Sequence, residues 1–410
     1  MNNISRLLGG TLLVAGTAIG AGMLALPVRT GLAGLYPSLF LFLVAWLFMT
    51  FTAFLFLEVS LWMDRETDLI SMAEEILGRA GKFLSGISYL LLLYSLIVAY
   101  ISGSACFVAE VVQSYFHFDL PAWFAPIPML IVFGSFVYLG TAPVDYLNRF
   151  LMFGLTAAYS LLVVFVPLNA DINLDYFVHQ DWKYLLVSLS VVVTSFGFHV
   201  IIPSMSNYMD KNVCQLRRSL FIGSLIPLIV YVIWELLILG VAPLKGSAGI
   251  VSAWMNDLPA THLLKSILTN SWVFIAARFF VFFSITTSFL GVALSLSHFL
   301  ADALKVKKTP SGNLLVCMLT FIPPLLFVLT WSKVFYLALE YAGIFVAVLL
   351  GILPILMVWV GRYSQNRKGY RVFGGRLFLM AAMIFFISVV CLETLNKMGY
   401  LEFITLNYLS

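Results

Sequence analysis

The stretch Gly16–Pro27, which reads GTAIGAGMLALP, constrains the fold of this chain more than any other. It lies in the apolar segment Leu7–Val28, and a bilayer-spanning helix needs about twenty such residues. Each glycine costs a helix interior roughly 0.5–1 kcal/mol relative to alanine, and proline lacks a backbone donor. The segment is therefore predicted to unwind at its middle. Unwound backbone at membrane depth persists only where it lines a protein-enclosed or watery cavity, so the break is a candidate binding site.

The composition places the chain in a membrane. Hydrophobic residues make up 62% and charged residues 10% of it, whereas roughly a quarter of a soluble domain is charged. The net charge of +4 comes from Lys and Arg in short loops, so a lipid bilayer rather than nucleic acid is the expected partner. The four cysteines show no metal spacing, and neither a cofactor nor a firm metal site is predicted.

Apolar runs at regular intervals predict an all-α polytopic protein with about eleven spanning helices in one domain, residues 1–410. A polar stretch with helical spacing, residues 63–82, predicts a further helix on the membrane surface. The predicted spans are Leu7–Val28, Leu35–Trp62, Phe83–Val112, Trp123–Gly140, Phe150–Val166, Tyr184–Met205, Ser219–Val241, Val273–Leu304, Leu314–Leu329, Val334–Val360 and Phe373–Leu392.

Lys and Arg are unevenly distributed between alternate loops, which predicts the orientation. They concentrate in residues 63–82, 207–218, 305–308 and 361–376, while the loops between these carry few. Positive loops face the cytoplasm. We therefore expect a cytoplasmic N-terminus and an external C-terminus.

A second interrupted segment resembles the first. Thr194–Pro203 reads TSFGFHVIIP, and like Thr17–Pro27 it has Thr three residues before a Gly and Pro six or seven residues after that Gly. The two breaks are five predicted helices apart, so the two halves, about residues 7–166 and 184–360, run in opposite senses. Paired interrupted helices of this kind indicate an inverted-repeat transporter with a site at the membrane midplane. The segment 373–392 is then an additional helix.

The two breaks have the chemistry of an amino acid site. Half-helix N-termini favour a carboxylate, and half-helix C-termini with unwound carbonyls favour an ammonium group or sodium. Phe196 and Phe198 beside the second break suit an apolar or aromatic side chain. Thr17, Thr194 and Ser195 have two readings: their hydroxyls bind substrate, or they satisfy backbone groups freed by the breaks.

Several longer stretches carry a family resemblance. They include IGAGMLALP at Ile19–Pro27, TSFGFH at Thr194–His199, TSFLGVAL at Thr287–Leu294 and GYRVFGGR at Gly369–Arg376. With these stretches the chain resembles the bacterial hydroxy/aromatic amino acid permease family, in particular its tyrosine-transporting members, over nearly its whole length. That family is part of the amino acid–polyamine–organocation superfamily.

The resemblance implies a location in the bacterial inner membrane, a fold, an activity and a site. The first ten of eleven helices form a five-plus-five inverted repeat with discontinuous helices 1 and 6, and the protein imports tyrosine or a related aromatic amino acid with protons. The backbone around Ile19 then binds substrate. The amides of Gly20, Ala21 and Gly22 hold its carboxylate, and carbonyls near Ala18 and in Phe196–Gly197 hold its ammonium group.

The coupling ion stays open. Several proton-driven superfamily members carry a lysine in the fifth helix, whereas Phe150–Val166 has none and Leu155 lies in the relevant turn. Sodium is therefore the alternative, with possible ligands at Ala18, Thr287 and Ser288, since hard cations prefer oxygen. The candidates for proton coupling are ionisable residues in the spans: His199, Glu235 and Glu340.

Other classes of function are weaker. A channel needs a continuous polar pore, and the apolar segments carry no ring of charges. The spans show no zinc spacing or catalytic set typical of an intramembrane enzyme, so no enzyme is predicted. A receptor-like role remains an alternative. The transporter is expected to act as a monomer on a small amino acid.

Overall fold

The computed structural model describes residues 3–63, 67–246, 249–267, 271–307, 309–331 and 333–401, with the side chains of residues 3–5, 265–267 and 271 excepted. All the regular elements in this part of the chain are helices. They are α1 (Asn3–Ala18), α2 (Gly22–Thr30), α3 (Leu35–Trp62), α4 (Leu69–Phe116), α5 (Ile127–Leu139), α6 (Thr141–Asn169), α7 (Leu185–Ser195), α8 (Ile202–Tyr208), α9 (Val213–Val241), α10 (Ile250–Met255), α11 (Ala260–Ile267), α12 (Ser271–Ala303), α13 (Pro310–Thr330), α14 (Phe335–Val346), α15 (Leu353–Tyr363) and α16 (Gly375–Lys397), with short 3₁₀ turns at Leu174–Val178, Trp182–Tyr184 and His199–Ile201.

The described helices contain nine spans that are long and apolar enough to cross a membrane, and the bent pair α1–α2 makes a tenth. The predicted span at Trp123–Gly140 is only the 13-residue helix α5, which is shorter than the roughly twenty residues of a full crossing. The all-helical membrane fold is confirmed. Eleven crossings and the inverted repeat stay predictions.

The predicted surface helix and the third span form one long helical element. α4 runs for 48 residues but is interrupted at Gly78, whose φ of 72° and ψ of −158° are not helical. Glycine alone adopts this conformation without strain. Before the kink, Leu69, Met72 and Ile76 are buried in the bundle, so the amphipathic stripe is covered by protein. Residues 64–66 of the loop before it and residue 308 lie outside the described residues.

The bundle is organised by two groups of packed helices. α12 lies against α4 and α6, while α9 lies along α1 and α3. Close approach between α1 and α9 depends on Gly223, where a Cβ would lie 2.6 Å from the Val14 side chain and 2.9 Å from the Thr11 carbonyl. A small residue at a helix crossing allows this backbone proximity. α9 is thereby placed alongside both halves of the first broken helix.

Candidate functional site

The first break occupies residues 19–21. α1 ends at Ala18, α2 begins at Gly22, and their axes differ by 56°. The Ala21 amide donates to Ser288 Oγ of α12 at 2.9 Å. The amides of Gly20 and Gly22 have no hydrogen-bond partner among the described residues. The break predicted from the glycines is confirmed, and it leaves two backbone donors for a ligand.

The second break follows Ser195. The chain leaves α7, passes through Phe196–Phe198 and the turn His199–Ile201, and enters α8 at Ile202. Phe196 and Phe198 are fully buried, and Phe196 packs edge-on against the Tyr231 ring with centroids 5.2 Å apart. The Gly197 amide bonds to the Thr194 carbonyl at 3.1 Å. The interruption predicted at Thr194–Pro203 is thus present.

Three hydroxyls at the two breaks bind their own helices. Thr17 Oγ1 donates to the Leu13 carbonyl at 2.7 Å and Thr194 Oγ1 to the Ser190 carbonyl at 2.9 Å. Ser195 Oγ likewise donates to a carbonyl four residues earlier, at 3.0 Å. Each hydroxyl therefore satisfies the backbone, in line with the structural one of their two readings.

A tyrosine on α9 joins the two breaks. The Tyr231 hydroxyl lies 2.7 Å from the Ala18 carbonyl and 2.8 Å from the Ser195 carbonyl, and the residue is fully buried. The breaks also approach each other directly, because a Cβ on Gly22 would lie 3.0 Å from Ser195 Oγ. Sequence reasoning missed Tyr231. Its signal was a phenol inside an apolar span, which needs a buried hydrogen-bond partner.

The oxygen atoms proposed as sodium ligands differ in their positions and in the hydrogen bonds they already make. Ser288 Oγ accepts the Ala21 amide and would touch a Cβ on Gly20 at 2.5 Å, so it lies at the first break. Thr287 Oγ1 instead donates to the Phe283 carbonyl at 2.8 Å. The Ala18 carbonyl is already bound by Tyr231. Among the described residues no cluster of His, Cys, Asp and Glu could hold a metal ion.

The three ionisable candidates have different surroundings. His199 is fully buried, with Nε2 2.9 Å from Thr52 Oγ1 of α3. Glu235 is fully buried on α9, and its Oε1 lies 2.6 Å from Thr30 Oγ1 of α2. Glu340 on α14, in contrast, is in an ion pair. Leu155 of α6, in the turn where the lysine is absent, is buried in the apolar core.

The Glu340 ion pair closes one end of the bundle. Arg29 Nη2 lies 2.6 Å from Glu340 Oε1, and Lys397 of α16 binds the same carboxylate. The Arg29 guanidinium also lies over the Tyr336 ring at 4.4 Å. Asp257 accepts the amides of Phe335 and Tyr336 at 2.8 and 3.1 Å, and burial nevertheless raises the pKa of this carboxyl. The Arg29 contacts join α2 to α14, and Asp257 joins the segment after α10 to the start of α14.

A second buried ion pair lies at the opposite end. Arg362 of α15 donates to both oxygens of Glu58 on α3 at 2.7 and 2.5 Å, and the Val372 amide donates to Glu58 at 2.8 Å. Arg6 of α1 pairs with Asp210 nearby. Both ends of the helix bundle are therefore held by charged contacts.

Comparison with known proteins identifies the family. The chain matches the model of the tryptophan/tyrosine permease family over residues 3–393. It is 34% identical over 407 residues to tyrosine-specific transport system 1 of Haemophilus influenzae, covering 98% of this chain and 100% of that protein. The chain belongs to the tryptophan/tyrosine permease family. The permease is therefore a multi-pass membrane transport protein rather than an enzyme.

Two further similarities limit what can be inferred about substrate and fold from membership of this family. The permease is 30% identical over 390 residues to glutamine transporter 2 of Aliivibrio fischeri, covering 93% of this chain and 97% of that protein. The structure of the Eremococcus coleocola manganese transporter, in a complex with an aromatic bis-isothiourea compound, matches with a TM-score of 0.56 at 15% identity, covering 95% and 85% of the two chains. At this identity the structural match supports the fold alone.

Proposed function

We propose that the permease imports tyrosine or a related aromatic amino acid, driven by the proton gradient and by alternating access. The observation that supports this proposal most strongly is the contact between the two breaks. α1 and α7 end there with their negative C-terminal dipoles, at Ala18 and Ser195, and α2 begins there with its positive N-terminus at Gly22. Opposite half-charges at one place suit a zwitterion.

Backbone groups bind the two charged groups of the substrate. The Gly20 and Gly22 amides are the donors for the carboxylate, since the Ala21 amide is bound to Ser288. The carbonyls of Ala18 and Ser195 and of the segment 196–197 are the acceptors for the ammonium group. The first two carbonyls also accept the Tyr231 hydroxyl, and each carbonyl oxygen has a second lone pair for the ammonium group. Any α-amino acid carries these groups, so side chains must set the selectivity.

Aromatic residues at the second break favour an aromatic substrate. Phe196 and Tyr231 pack together there, and Phe198 is buried on the same segment. The description of the family and the Haemophilus relative point to tyrosine or tryptophan. The glutamine transporter shows that a permease of similar sequence is named for a polar substrate, so substrate choice must be measured across both classes.

Glu340 acts in this proposal as a gate residue. Its carboxylate contacts the two cations Arg29 and Lys397, which connect α2, α14 and α16. With the N-terminus in the cytoplasm of a bacterial inner membrane, this end faces outward. Opening toward the outside then requires the Arg29–Glu340 pair to separate. A single copy of the chain contains both breaks and both ion pairs, so a monomer suffices.

The test is transport by the purified protein in liposomes. Labelled tyrosine, tryptophan, phenylalanine and glutamine are supplied under an inward proton gradient alone, and then under an inward sodium gradient alone. We expect saturable accumulation of an aromatic amino acid under the proton gradient. Accumulation that follows sodium and ignores pH favours the alternative of a sodium symporter, which Ser288 beside the first break supports. Nonsaturable flux would indicate a channel, and binding without flux a receptor.

A further inference from the structure

Glu235 is a buried carboxyl group that lacks a charged partner. It is fully buried on α9, and the described part of the chain provides no ion pair to it. Oε1 lies 2.6 Å from Thr30 Oγ1, and the Ser38 hydroxyl of α3, which donates to the Thr30 and Gly34 carbonyls, also faces the carboxyl. Oε2 has no hydrogen-bond partner in the described residues. A buried carboxylate with one free oxygen and no cation is expensive, whereas the neutral acid is not.

The hydroxyl of Thr30 indicates which protonation state fits this geometry. Thr30 Oγ1 lies 2.7 Å from the Leu26 carbonyl as well as 2.6 Å from Glu235 Oε1. The hydroxyl has one proton, and the carbonyl can only accept. If Thr30 donates to Leu26, its lone pairs must accept from Glu235, which requires a protonated carboxyl. If Glu235 is ionised, Thr30 must turn toward it and the bond to Leu26 is lost. Both contacts reach full strength together only with the protonated acid, because an ionised carboxylate and the Leu26 carbonyl would have to share the single Thr30 proton.

The contact joins the proton to a moving part of the proposed transport cycle. Thr30 is the last residue of α2, which begins at the free amide of Gly22 and carries Arg29 of the outer ion pair. α9 also carries Tyr231, one turn from Glu235, at the two breaks. Loss of the proton from Glu235 therefore leaves an unneutralised carboxylate buried between α2 and α9, and the cost of burying that charge disfavours the docked position of α2.

Other titratable groups on the elements packed against α9 are engaged elsewhere or exposed. Three of them are in ion pairs: Arg29 with Glu340, Arg6 with Asp210 and Glu58 with Arg362. Tyr159 donates to the Val230 carbonyl, His179 contacts the Leu32 carbonyl, and His262 lines a cavity with Arg278. Tyr36 and Asp175 are exposed, and the Lys265 side chain lies outside the described residues. No group in this set neutralises Glu235.

His199 makes its one side-chain hydrogen bond without an additional proton, and its Nδ1 has no hydrogen-bond partner in the described residues. Its Nε2 pairs with Thr52 Oγ1 at 2.9 Å, and a neutral imidazole can donate or accept there. The Thr52 hydroxyl also has the Met49 carbonyl at 3.1 Å as an acceptor. Unlike Glu235, His199 makes no side-chain hydrogen bond to α2 in the described residues.

We propose that Glu235 carries the co-transported proton, and that the cost of burying its carboxylate beside Thr30 makes closure of α2 depend on that proton. The inference rests on the proposed function. The proton enters on Glu235 when α2 is released from α9, is held as Glu235–OH donating to Thr30 when α2 is docked, and leaves as H⁺ to the cytoplasm when the inner side opens. No other bond is made or broken.

The test separates exchange from coupling in liposomes with the full-length protein. Exchange of labelled for unlabelled tyrosine requires no net proton movement, whereas accumulation under a pH gradient and tyrosine-induced acidification of an entrapped dye do. For Glu235→Gln, which imitates the neutral acid and can still donate to Thr30, we expect exchange to persist. Accumulation should fall at least tenfold, dye acidification should disappear, and exchange should lose its pH dependence. Glu110→Gln, a change to another carboxylate in a spanning helix that pairs with Arg278, is the matched control and should accumulate normally.

Two further variants keep the inference refutable. Thr30→Val removes the hydroxyl and should reduce accumulation more than exchange. Glu235→Asp keeps a titrating carboxyl and should keep dye acidification with a displaced pH profile, which applies even if Glu235→Gln does not fold. Undiminished proton-driven accumulation in Glu235→Gln, or in Thr30→Val, overturns the proposed link. A wild-type protein that exchanges no amino acid would instead refute the proposed function itself.

Discussion

Replacement of Gly20 by alanine tests the role of the first break most sharply. The new Cβ would lie 2.5 Å from Ser288 Oγ, which is closer than nonbonded atoms approach. Ser288 must rotate away, and the Ala21 amide then loses its acceptor. A buried donor left without a partner costs about 1–3 kcal/mol. The free protein can relax at the break, whereas a bound carboxylate needs the neighbouring amides aligned, so the cost falls on binding.

The expected result is weaker binding rather than unfolding. A cost of about 1–3 kcal/mol corresponds to a roughly five- to hundredfold higher Kd for tyrosine, since about 1.4 kcal/mol is tenfold. Equilibrium binding of labelled tyrosine to detergent-purified protein measures it, with a monodisperse gel-filtration peak as the folding check. Gly291→Ala is the matched control, because a Cβ at this position on α12 has no atom within 4 Å. Its Kd should stay within about twofold of wild type.

A double-mutant cycle identifies the cause of the loss. In Ser288→Ala the Oγ is absent, and the Cβ of residue 288 lies 3.8 Å from a Cβ on Gly20, an ordinary contact. Gly20→Ala should therefore cost little in the Ser288→Ala background, so that the two losses do not add. Unchanged affinity in Gly20→Ala, or losses that simply add, would refute this reasoning about the break.

Three other predictions concern contacts that join distant elements. Tyr231→Phe keeps the ring against Phe196 but removes the donor shared by the Ala18 and Ser195 carbonyls. Transport should fall about tenfold, because a loss of about 1–2 kcal/mol is expected. A wild-type rate in the uptake assay would contradict a bridging role. Glu58→Ala leaves Arg362 buried and unpaired and should destabilise the fold by about 3–5 kcal/mol, measured as a lower Tm in detergent. Glu58→Ala combined with Arg362→Leu should recover part of the lost stability. No recovery would count against an ion-pair origin of the loss. Glu340→Gln weakens the pair with Arg29 and should increase labelling of an external-side cysteine probe introduced on α2; labelling equal to that of the parent cysteine protein would show that this pair does not hold the end closed.

The parts of the structure that follow from local sequence were predictable. Glycines and a proline within one apolar run placed the break that bends α1 against α2 by 56°. The span Leu35–Trp62 has the predicted bounds because a long unbroken apolar run ends there in polar residues. Arg278 lies 3.8 Å from Glu110, in keeping with the general rule that a charge in a spanning helix pairs with an opposite charge.

The parts that depend on distant contacts were not predictable. Tyr231 is 213 positions from Ala18, and Arg362 is 304 positions from Glu58, and nothing in a single sequence pairs such residues. The short length of α5 was not predicted either, because the apolar run Trp123–Gly140 continues through a turn that its hydropathy does not reveal. The hydroxyls of Thr17, Thr194 and Ser195 illustrate a third limit, since composition shows their presence but not which carbonyl they bind.

The central claim is that the two breaks together hold the substrate, and a structure of the protein with bound tyrosine in a lipid nanodisc tests it most directly. The account predicts the substrate carboxylate at hydrogen-bond distance, about 2.7–3.2 Å, from the amides of Gly20 and Gly22. Its ammonium group should lie against the carbonyls of Ala18 and the segment 195–197. Tyrosine found elsewhere, for example in the cavity of about 300 Å³ between α4, α12 and the segment 258–262, with the two breaks unoccupied, would contradict it.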